Sequence, residues 1–244
     1  MNKLFKQEVS NTWKVSNGEH LINLIPYIVG SKNPNAKKGE PAFNLVLNVH
    51  GVITGDEFIT IQCLKNWSKY CPICSLHDKL EYNDPLRQEL KTKKYGFYNV
   101  IVLDSKEEEE KGVRIFSSPY HLFERQLLNA SIVPNLDQLD EEYEEATGYD
   151  NEDEEYEEYI TQFKLIDFID PTDGKSIAFT KTGVGWNTKY ANFTFPDRKT
   201  EISNAILDAT YCLDELIYQP TTKELYELVI NLLVERRKIK CTTI

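Results

Sequence analysis

The alternation of hydrophobic and polar positions predicts β-strands distributed along residues 1–199. Residues 43–52 and 57–63 alternate in this way on either side of a turn-forming stretch at 54–56, so we expect them to pair as a hairpin. The same kind of pattern predicts further strands over residues 13–20, 21–29, 97–103, 112–116, 161–169, 176–181 and 190–195. The chain is therefore expected to be β-rich.

Helical periodicity is clearest at the end of the chain. Thr221 and Glu224 have the spacing of a capping box, and an apolar stripe follows them at Leu225, Leu228, Val229, Leu232 and Leu233. This stripe favours packing on the core over the alternative of a partner-binding helix. Shorter helices are predicted over residues 75–90, with a break near Pro85, and over 119–129 and 200–216. The sequence thus predicts an α+β protein with a core over residues 1–199 and a C-terminal helical segment over 200–244.

Charged residues are segregated along the chain. The 28 basic and 39 acidic residues give a net charge of -11, which taken alone argues against a nucleic-acid partner. Residues 137–158, however, hold 13 of the acids and no Lys or Arg, and residues 107–110 add four more. Without these 17 residues the chain has a net charge of +6. We interpret 137–158 as a solvated acidic insertion, which either solubilises the protein or competes for a basic surface and docks partners.

Three of the five cysteines lie within twelve residues, at Cys63, Cys71 and Cys74. Two thiolates at Cys-x2-Cys spacing come together in a tight turn and can bind one tetrahedral zinc ion. Cys63 ends one strand of the predicted hairpin, which places it near His50 on the other strand. We therefore predict one structural Zn²⁺ bound by His50, Cys63, Cys71 and Cys74, in a subdomain over about residues 48–90.

Two alternatives to this ligand set stay open. His77 follows Cys74 by three residues on a predicted helix and competes with His50 for the fourth position. The cysteines could also be buried free thiols, which are common in protein cores. Cys212 and Cys241 have no partners at ligand spacing, so we expect them to be ordinary thiols.

Basic residues are concentrated in three segments, two of which also carry aromatic residues. Proteins hold single-stranded nucleic acid with lysine or arginine on the phosphates and with aromatic rings stacked on the bases. The segments supply Lys91, Lys93, Lys94, Tyr95, Phe97 and Tyr98, then Lys181, Trp186, Lys189 and Tyr190, and finally the loop residues Lys32, Lys37 and Lys38. Each segment alone is typical of a solvated loop beside a core aromatic residue, but three in one β-rich chain favour a shared binding groove.

The order of these motifs resembles the single-stranded DNA-binding (helix-destabilising) proteins of large tailed bacteriophages. The spacing from His50 to Cys63, followed by Cys71-Pro72-Ile73-Cys74, is similar to the zinc subdomain of that family. Residues 93–102 are similar to its basic-aromatic strand of the form K-x-x-Y-W-x-N-I-L-V, and residues 173–190 resemble its late hairpin. Together the motifs cover roughly residues 20–195.

The resemblance implies an OB-fold barrel with a zinc-bearing subdomain, and DNA in a basic, aromatic-lined cleft between them. It implies zinc on the four residues named above, and DNA near Lys93, Lys94, Phe97, Trp186 and Tyr190. The implied function is sequence-tolerant coating and protection of single-stranded DNA in phage replication, recombination and repair, in the cytoplasm of the infected host. Replication or recombination proteins would be partners, through the acidic segment or the C-terminal helix.

Two other functional classes compete with this hypothesis. A metal-dependent nuclease could use Asp167, Asp170 and Asp173 for Mg²⁺, but the stretch reads as a plain turn without a neighbouring base, so we do not expect an enzyme. A zinc-stabilised interaction or virion component without a nucleic-acid role is the other alternative. The chain has no apolar run of membrane-spanning length and no signal-peptide pattern at Met1, so we expect it to act in a reducing cytoplasm without membrane attachment.

Overall fold

The computed structural model describes residues 2–6, 11–54, 57–132 and 166–242, and it has a mixed α+β fold. The acidic insertion at 137–158 lies outside the described residues, as do Gly55 and Asp56 of the hairpin turn. The strands are β1 (Asn2–Lys3), β2 (Gly18–Ile25), β3 (Tyr27–Ile28), β4 (Pro41–Ala42), β5 (Asn44–Thr54), β6 (Glu57–Gln62), β7 (Lys93–Val102), β8 (Arg114–Pro119), β9 (Ile177–Thr182) and β10 (Lys189–Thr194). The α-helices are α1 (Pro72–Lys79), α2 (Pro85–Leu90), α3 (Lys106–Glu110), α4 (Glu124–Ser131), α5 (Asn204–Asp208), α6 (Leu213–Leu216) and α7 (Thr222–Thr242), with 3-10 turns at Leu64–Trp67 and Gly185–Asn187.

Strand β7 is the centre of the main sheet. The strand order is β1-β6-β5-β7-β2-β9-β10, and β8 pairs with the other edge of β7. The first half of β7 pairs with β5, and its last residues pair with β2; both pairings are antiparallel. From Gly96 to Val102 every residue of β7 is buried. Because both edges and both faces are covered, β7 fixes the positions of the surrounding hairpins.

The predicted hairpin is confirmed and packs on the C-terminal helix. Strands β5 and β6 pair antiparallel, and His50 lies opposite Ile61. Behind the hairpin, Val52, Ile59 and Ile61 form an apolar cluster with residues of α2 and with Leu225 and Leu232 of α7. Leu228 and Val229 pack against the same cluster, whereas Leu233 is exposed. The core-packing interpretation of the helical stripe is therefore confirmed for four of its five residues.

Several element boundaries differ from those expected. Within residues 13–29, the strands are β2, which begins only at Gly18 and ends at Ile25, and the short β3; Pro26 separates them because it has no N–H to donate to a ladder. The acidic run at 107–110 forms the helix α3, whose first turn is capped by the Ser105 side chain accepting a hydrogen bond from the Glu108 amide. Residues 166–169 do not form a strand, and the helix expected over 200–216 is replaced by the short helices α5 and α6.

The sheet does not close on itself within the described strands. No pairing joins β10 to β1 or β6, so the structure does not confirm an OB barrel in the described part of the chain. In the same part of the chain, no helix has the length and apolar content that a membrane crossing would need.

Candidate metal centre and nucleic-acid interface

The β5–β6 hairpin and helix α1 bring four metal-binding side chains to one buried point. His50 lies on β5, Cys63 directly follows β6, and Cys71 and Cys74 lie at the start of α1. The Cys63 amide donates to the Asn48 carbonyl at 3.0 Å, which holds the end of the hairpin in place. Pro72 opens α1 and has no amide that the first turn would leave unpaired, so the Cys-x2-Cys turn forms readily.

The distances within this cluster match a tetrahedral site. His50 Nε2 lies 3.4 Å from Cys71 Sγ and 3.6 Å from Cys74 Sγ, and the sulfurs of Cys63 and Cys74 are 3.5 Å apart. All four ligand atoms lie within 4.8 Å of one another, and all four residues are buried. Tetrahedral zinc with Zn–S of ~2.3 Å and Zn–N of ~2.0–2.1 Å needs ligand atoms roughly 3.6–3.8 Å apart. The cluster therefore has the donor set and the spacing to hold a metal ion such as zinc.

The second nitrogen of His50 fixes the orientation of the ring. Its Nδ1 lies 3.0 Å from the carbonyl oxygen of Leu90, the last residue of α2, to which it can donate. That hydrogen bond directs Nε2 at the cysteines, as in most histidine-ligated metal sites, and Nε2 would lose its proton on binding a metal ion. His77 instead contacts Asp78 at 2.9 Å and is outside the cluster. Between the two histidines, the geometry favours His50.

The electrostatics of the cluster also favour a cation. Burial opposes the charged form of His50, but hydrogen bonds with Cys71 and Cys74 outweigh it and raise its pKa to about 9. Hydrogen bonds with Cys63 and Cys74 lower the pKa of Cys71. The cluster thus pairs a buried thiolate with an imidazolium, and a metal ion that binds there would displace the His50 proton and take over the compensation of the thiolate charge.

A separate cleft of about 610 Å³ lies on the other face of the hairpin. One wall comes from β5 and β6, the floor from β7 and the end of β8, and the other wall from β9, β10 and the turn between them. The lining residues are Val49, Gly51, Phe58, Thr60, Lys93, Tyr95, Ser117, Ser118, Pro119, His121, Leu122, Lys181, Gly185, Trp186, Thr188 and Tyr190. Strands from the two ends of the sheet line one cleft, so the sheet must curve around it.

The cleft combines positive charge with an exposed aromatic ring. Its described lining includes Lys93, Lys181 and His121 but neither aspartate nor glutamate. The Lys93 ammonium lies over the ring of Trp186, 4.9 Å from its centroid, in a cation–π contact. Trp186 itself is 89% exposed. An apolar ring this exposed beside a lysine suits a stacking ligand that carries negative charge.

Two glycines shape the turn that presents Trp186. Gly183 has φ +76° and Gly185 has φ +56°, a backbone region that favours glycine. A Cβ on Gly183 would come within 2.1 Å of the Asn187 carbonyl oxygen, so the turn closes tightly there. These backbone conformations place Trp186 at an exposed position of the turn.

Five of the sequence-predicted DNA-binding residues line this cleft: Lys93, Tyr95, Lys181, Trp186 and Tyr190. Tyr95 and Tyr190 are only partly exposed, and burial raises the pKa of both hydroxyls, so these side chains stay neutral. Lys94 does not line the cleft, and its ammonium lies over the Tyr120 ring, 5.7 Å from the centroid. The segments around residues 93 and 186, which are distant in sequence, therefore meet in one place.

Phe97 and Tyr98 are a correction to the expected site. Both are fully buried: Phe97 packs with Phe5 and Tyr95, and Tyr98 lies in an aromatic cluster where its hydroxyl donates to Glu124 Oε2 at 2.6 Å. Neither ring has surface on which a base could stack. Strand alternation directs them to opposite faces as expected, but from Gly96 onward both faces of β7 are covered.

The remaining predicted lysines, Lys32, Lys37, Lys38, Lys91 and Lys189, do not line the cleft. The loop that carries the first three is anchored elsewhere, because Asp214 accepts hydrogen bonds from the amides of Gly30 and Lys32. The Lys32 ammonium pairs with Glu215 at 2.7 Å. These contacts give the loop a structural role beside α6.

Sequence reasoning missed Phe58 and His121, which both line the cleft. Phe58 carried a usable signal, since strand alternation places it on the same face of β6 as Thr60 and opposite to the buried Ile59 and Ile61. His121 lies within the helix predicted over 119–129, but the observed helix α4 begins only at Glu124, so helical periodicity gave no guide to the direction of His121.

The acidic triplet considered for a nuclease forms a turn. Asp167 Oδ1 accepts hydrogen bonds from the amides of Ile169 and Asp170. Asp170 Oδ1 accepts from Thr172 and Asp173, and these amides lower the pKa of Asp170. The two carboxylates therefore cap their own backbone.

Comparison of the chain with protein-family models and with curated proteins finds no match, so the resemblance to the phage DNA-binding family rests on the sequence motifs alone.

Proposed function

We propose that this protein binds single-stranded DNA, with little sequence preference, in the cleft between its two hairpins. The observation that carries the proposal is the lining of that cleft: Lys93 and Lys181, the exposed ring of Trp186, and no carboxylate among the described lining residues. Lysines attract the phosphates, and the ring offers a face that every base can stack on. The net charge of +6 outside the two acidic runs agrees with such a ligand.

The proposed preference for single strands follows from the stacking. A base can lie on Trp186 only when it is not paired and stacked within a duplex, so binding would trap unpaired strands and lower the cost of melting. Each stacked base contributes ~1–3 kcal/mol. No catalytic step is required. With the motif resemblance, this leads us to propose a role in phage DNA replication, recombination and repair, in the cytoplasm of the host.

We further propose that the buried His/Cys cluster binds one structural Zn²⁺. Three sulfurs and one imidazole nitrogen complete a tetrahedral shell and leave no position for a substrate or water. The ion would hold the hairpin against α1. Metal analysis of purified protein should give about one equivalent of zinc per chain, and well under half an equivalent would contradict the assignment.

An OB-type architecture for the sheet is part of the same proposal. The support is the curvature that brings β5–β6 and β9–β10 to one cleft, although their positions in the strand order are at opposite ends. OB-folds bind single strands across such a curved face.

A salt-dependent titration with labelled single-stranded and duplex DNA tests the proposed function. Affinity for the single strand should exceed that for the duplex, and log K should fall with log[salt] by about 0.7 for each phosphate contact. Tryptophan fluorescence can follow binding, because Trp13 is buried and Trp67 donates its Nε1–H to the Lys32 carbonyl, whereas Trp186 is exposed. Absence of binding at low salt would refute the proposal.

One observation favours a second candidate, a zinc-stabilised interaction protein. On the outward side of α7, Tyr226, Ile230, Leu233 and Val234 are exposed. If no oligonucleotide binds at low salt, this surface becomes the better guide to function.

A further inference from the structure

We propose that Phe58, on the metal-bearing hairpin, is a second base-stacking platform, which faces the same cleft as Trp186 from the other wall. The inference rests on the proposed function and deepens it, because it makes both hairpins direct contributors to DNA binding. It also implies that a bound strand crosses the cleft from one hairpin to the other, with separate bases on the two rings.

The position of Phe58 supports this role. Its side chain is 49% exposed and lines the cleft together with Thr60, Lys93 and Trp186. A large apolar ring in this position, with lysine nearby and no described carboxylate lining the cleft, has the surroundings of a base-stacking residue.

The Phe58 ring packs against the backbone of Gly51. A Cβ on Gly51 would lie 2.6 Å from Phe58 Cζ, which means that the ring lies directly over the glycine. Gly51 pairs with Thr60, so the ring leans back along the neighbouring strand. The backbone of Gly51 has no positive φ, and an alanine would be excluded only by the ring. A glycine in a strand interior often marks this kind of close approach.

The metal cluster lies on the other side of the same strands. His50 precedes Gly51 and Cys63 follows Gln62, and alternate residues of a strand point to opposite faces. The cluster therefore fixes the hairpin from behind, while Gly51, Phe58 and Thr60 face the cleft. This arrangement gives the cluster a function in DNA binding without contact between the ion and DNA.

The test compares Phe58→Ala and Phe58→Leu with Ile53→Ala, in the zinc-loaded full chain and with labelled oligo(dT) of about ten nucleotides. Ile53 is a matched control, because it is opposite Phe58 in the hairpin and 50% exposed but does not line the cleft. Both Phe58 variants should bind about 5- to 100-fold more weakly with an unchanged salt slope. Ile53→Ala should bind like the wild type, and all three should keep their zinc.

Gly51→Ala tests the position of the ring without removing it. Its Cβ must displace Phe58, so we expect a loss of affinity similar to that of Phe58→Ala, and the double variant should be no worse than either single one. On an oligomer of abasic sugar-phosphate units, Phe58→Ala and the wild type should bind equally.

Three results would overturn the inference. The first is that Phe58→Ala binds DNA within about twofold of the wild type while Trp186→Ala binds more weakly. The proposed function would then stand, but Phe58 would not be a second stacking platform. Another is an equal loss in Ile53→Ala, which would indicate general damage to the hairpin. The third is full affinity in Phe58→Leu, which would exclude stacking. Failure of the wild-type protein to bind would instead remove the proposed function itself.

Discussion

The two hairpins that line the cleft are stabilised in different ways. The β5–β6 hairpin has the His/Cys cluster and α7 behind it, so its position depends on buried groups. The turn between β9 and β10 is held by backbone geometry: Gly183 and Gly185 have positive φ, and the Asn187 amide donates to the Val184 carbonyl at 3.1 Å. Loss of the buried groups behind the first hairpin should therefore affect both stability and binding, whereas changes at the tip of the second should affect binding alone.

Loss of a cluster ligand should have the largest effect. Cys71→Ser removes one thiolate of the proposed zinc shell, and we expect loss of bound metal and a decrease of more than about 3 kcal/mol in the free energy of unfolding. Urea unfolding and metal analysis measure both quantities. Cys212→Ser is the control, since Cys212 is free, half-buried and outside the cluster. Equal stability of the two variants would mean that the first hairpin does not depend on the cluster.

Trp186→Ala should separate binding from stability. The ring is almost fully exposed, so its removal should leave the unfolding midpoint unchanged. Affinity for single-stranded DNA should fall about 5- to 100-fold with the salt slope nearly intact, because stacking and not charge is lost. Val184→Ala, at a neighbouring exposed position that does not line the cleft, should have no effect. A lower midpoint in Trp186→Ala would contradict the proposed difference between the hairpins.

The first hairpin could be predicted from sequence because its signals are local. Alternation gives the strands, and His50 and Cys63 come together once the turn is placed. Cys71 and Cys74 need only a tight turn. The choice between His50 and His77 as the fourth ligand could not be made from local sequence, because it depends on α2, whose Leu90 carbonyl orients the His50 ring.

The cleft was only partly predictable because it depends on long-range packing. Residues near 93 and 186 gave the right chemistry, yet Phe97 and Tyr98 turned out to be core residues. Alternation assigns neighbouring residues to opposite faces, but it cannot tell that β7 is covered on both. Gly96 is an example of this close packing, because a Cβ there would lie 2.0 Å from the Tyr98 hydroxyl oxygen. In the same way, Lys32 looks like a phosphate ligand until Glu215 is placed beside it.

Lys93→Ala should have a smaller effect, and one of a different kind. Lys93 lies on the floor between the hairpins and contacts the Trp186 ring, so its loss removes one phosphate contact and one cation–π contact. We expect the slope of log K against log[salt] to become shallower by about 0.7, with a loss of affinity of a few fold at low salt. Lys32→Ala should leave the slope unchanged, because Lys32 pairs with Glu215 outside the cleft. Equal slopes for the two variants would show that Lys93 does not contact phosphate.

Deletion of the acidic insertion should have the smallest effect on DNA affinity, and this effect should not depend on one hairpin more than on the other. Residues 137–158 carry 13 negative charges and lie outside the described residues, but the chain on either side is held together, with the Ile166 amide donating to the Ser131 carbonyl at 2.8 Å. Deleting them therefore shortens a connection whose ends already meet.

Because the deletion removes negative charge from a protein that binds a polyanion, affinity for single-stranded DNA should rise about 2- to 5-fold at low salt and return to the wild-type value at high salt, where charges are screened. Replacing the segment with a Gly/Ser linker of equal length separates charge from length and should give the same rise. If affinity does not change in either variant, the segment does not oppose DNA electrostatically, and its role is restricted to solubility or the docking of partners. A rise that persists at high salt would instead show that the segment and DNA compete for the same surface by contacts other than charge.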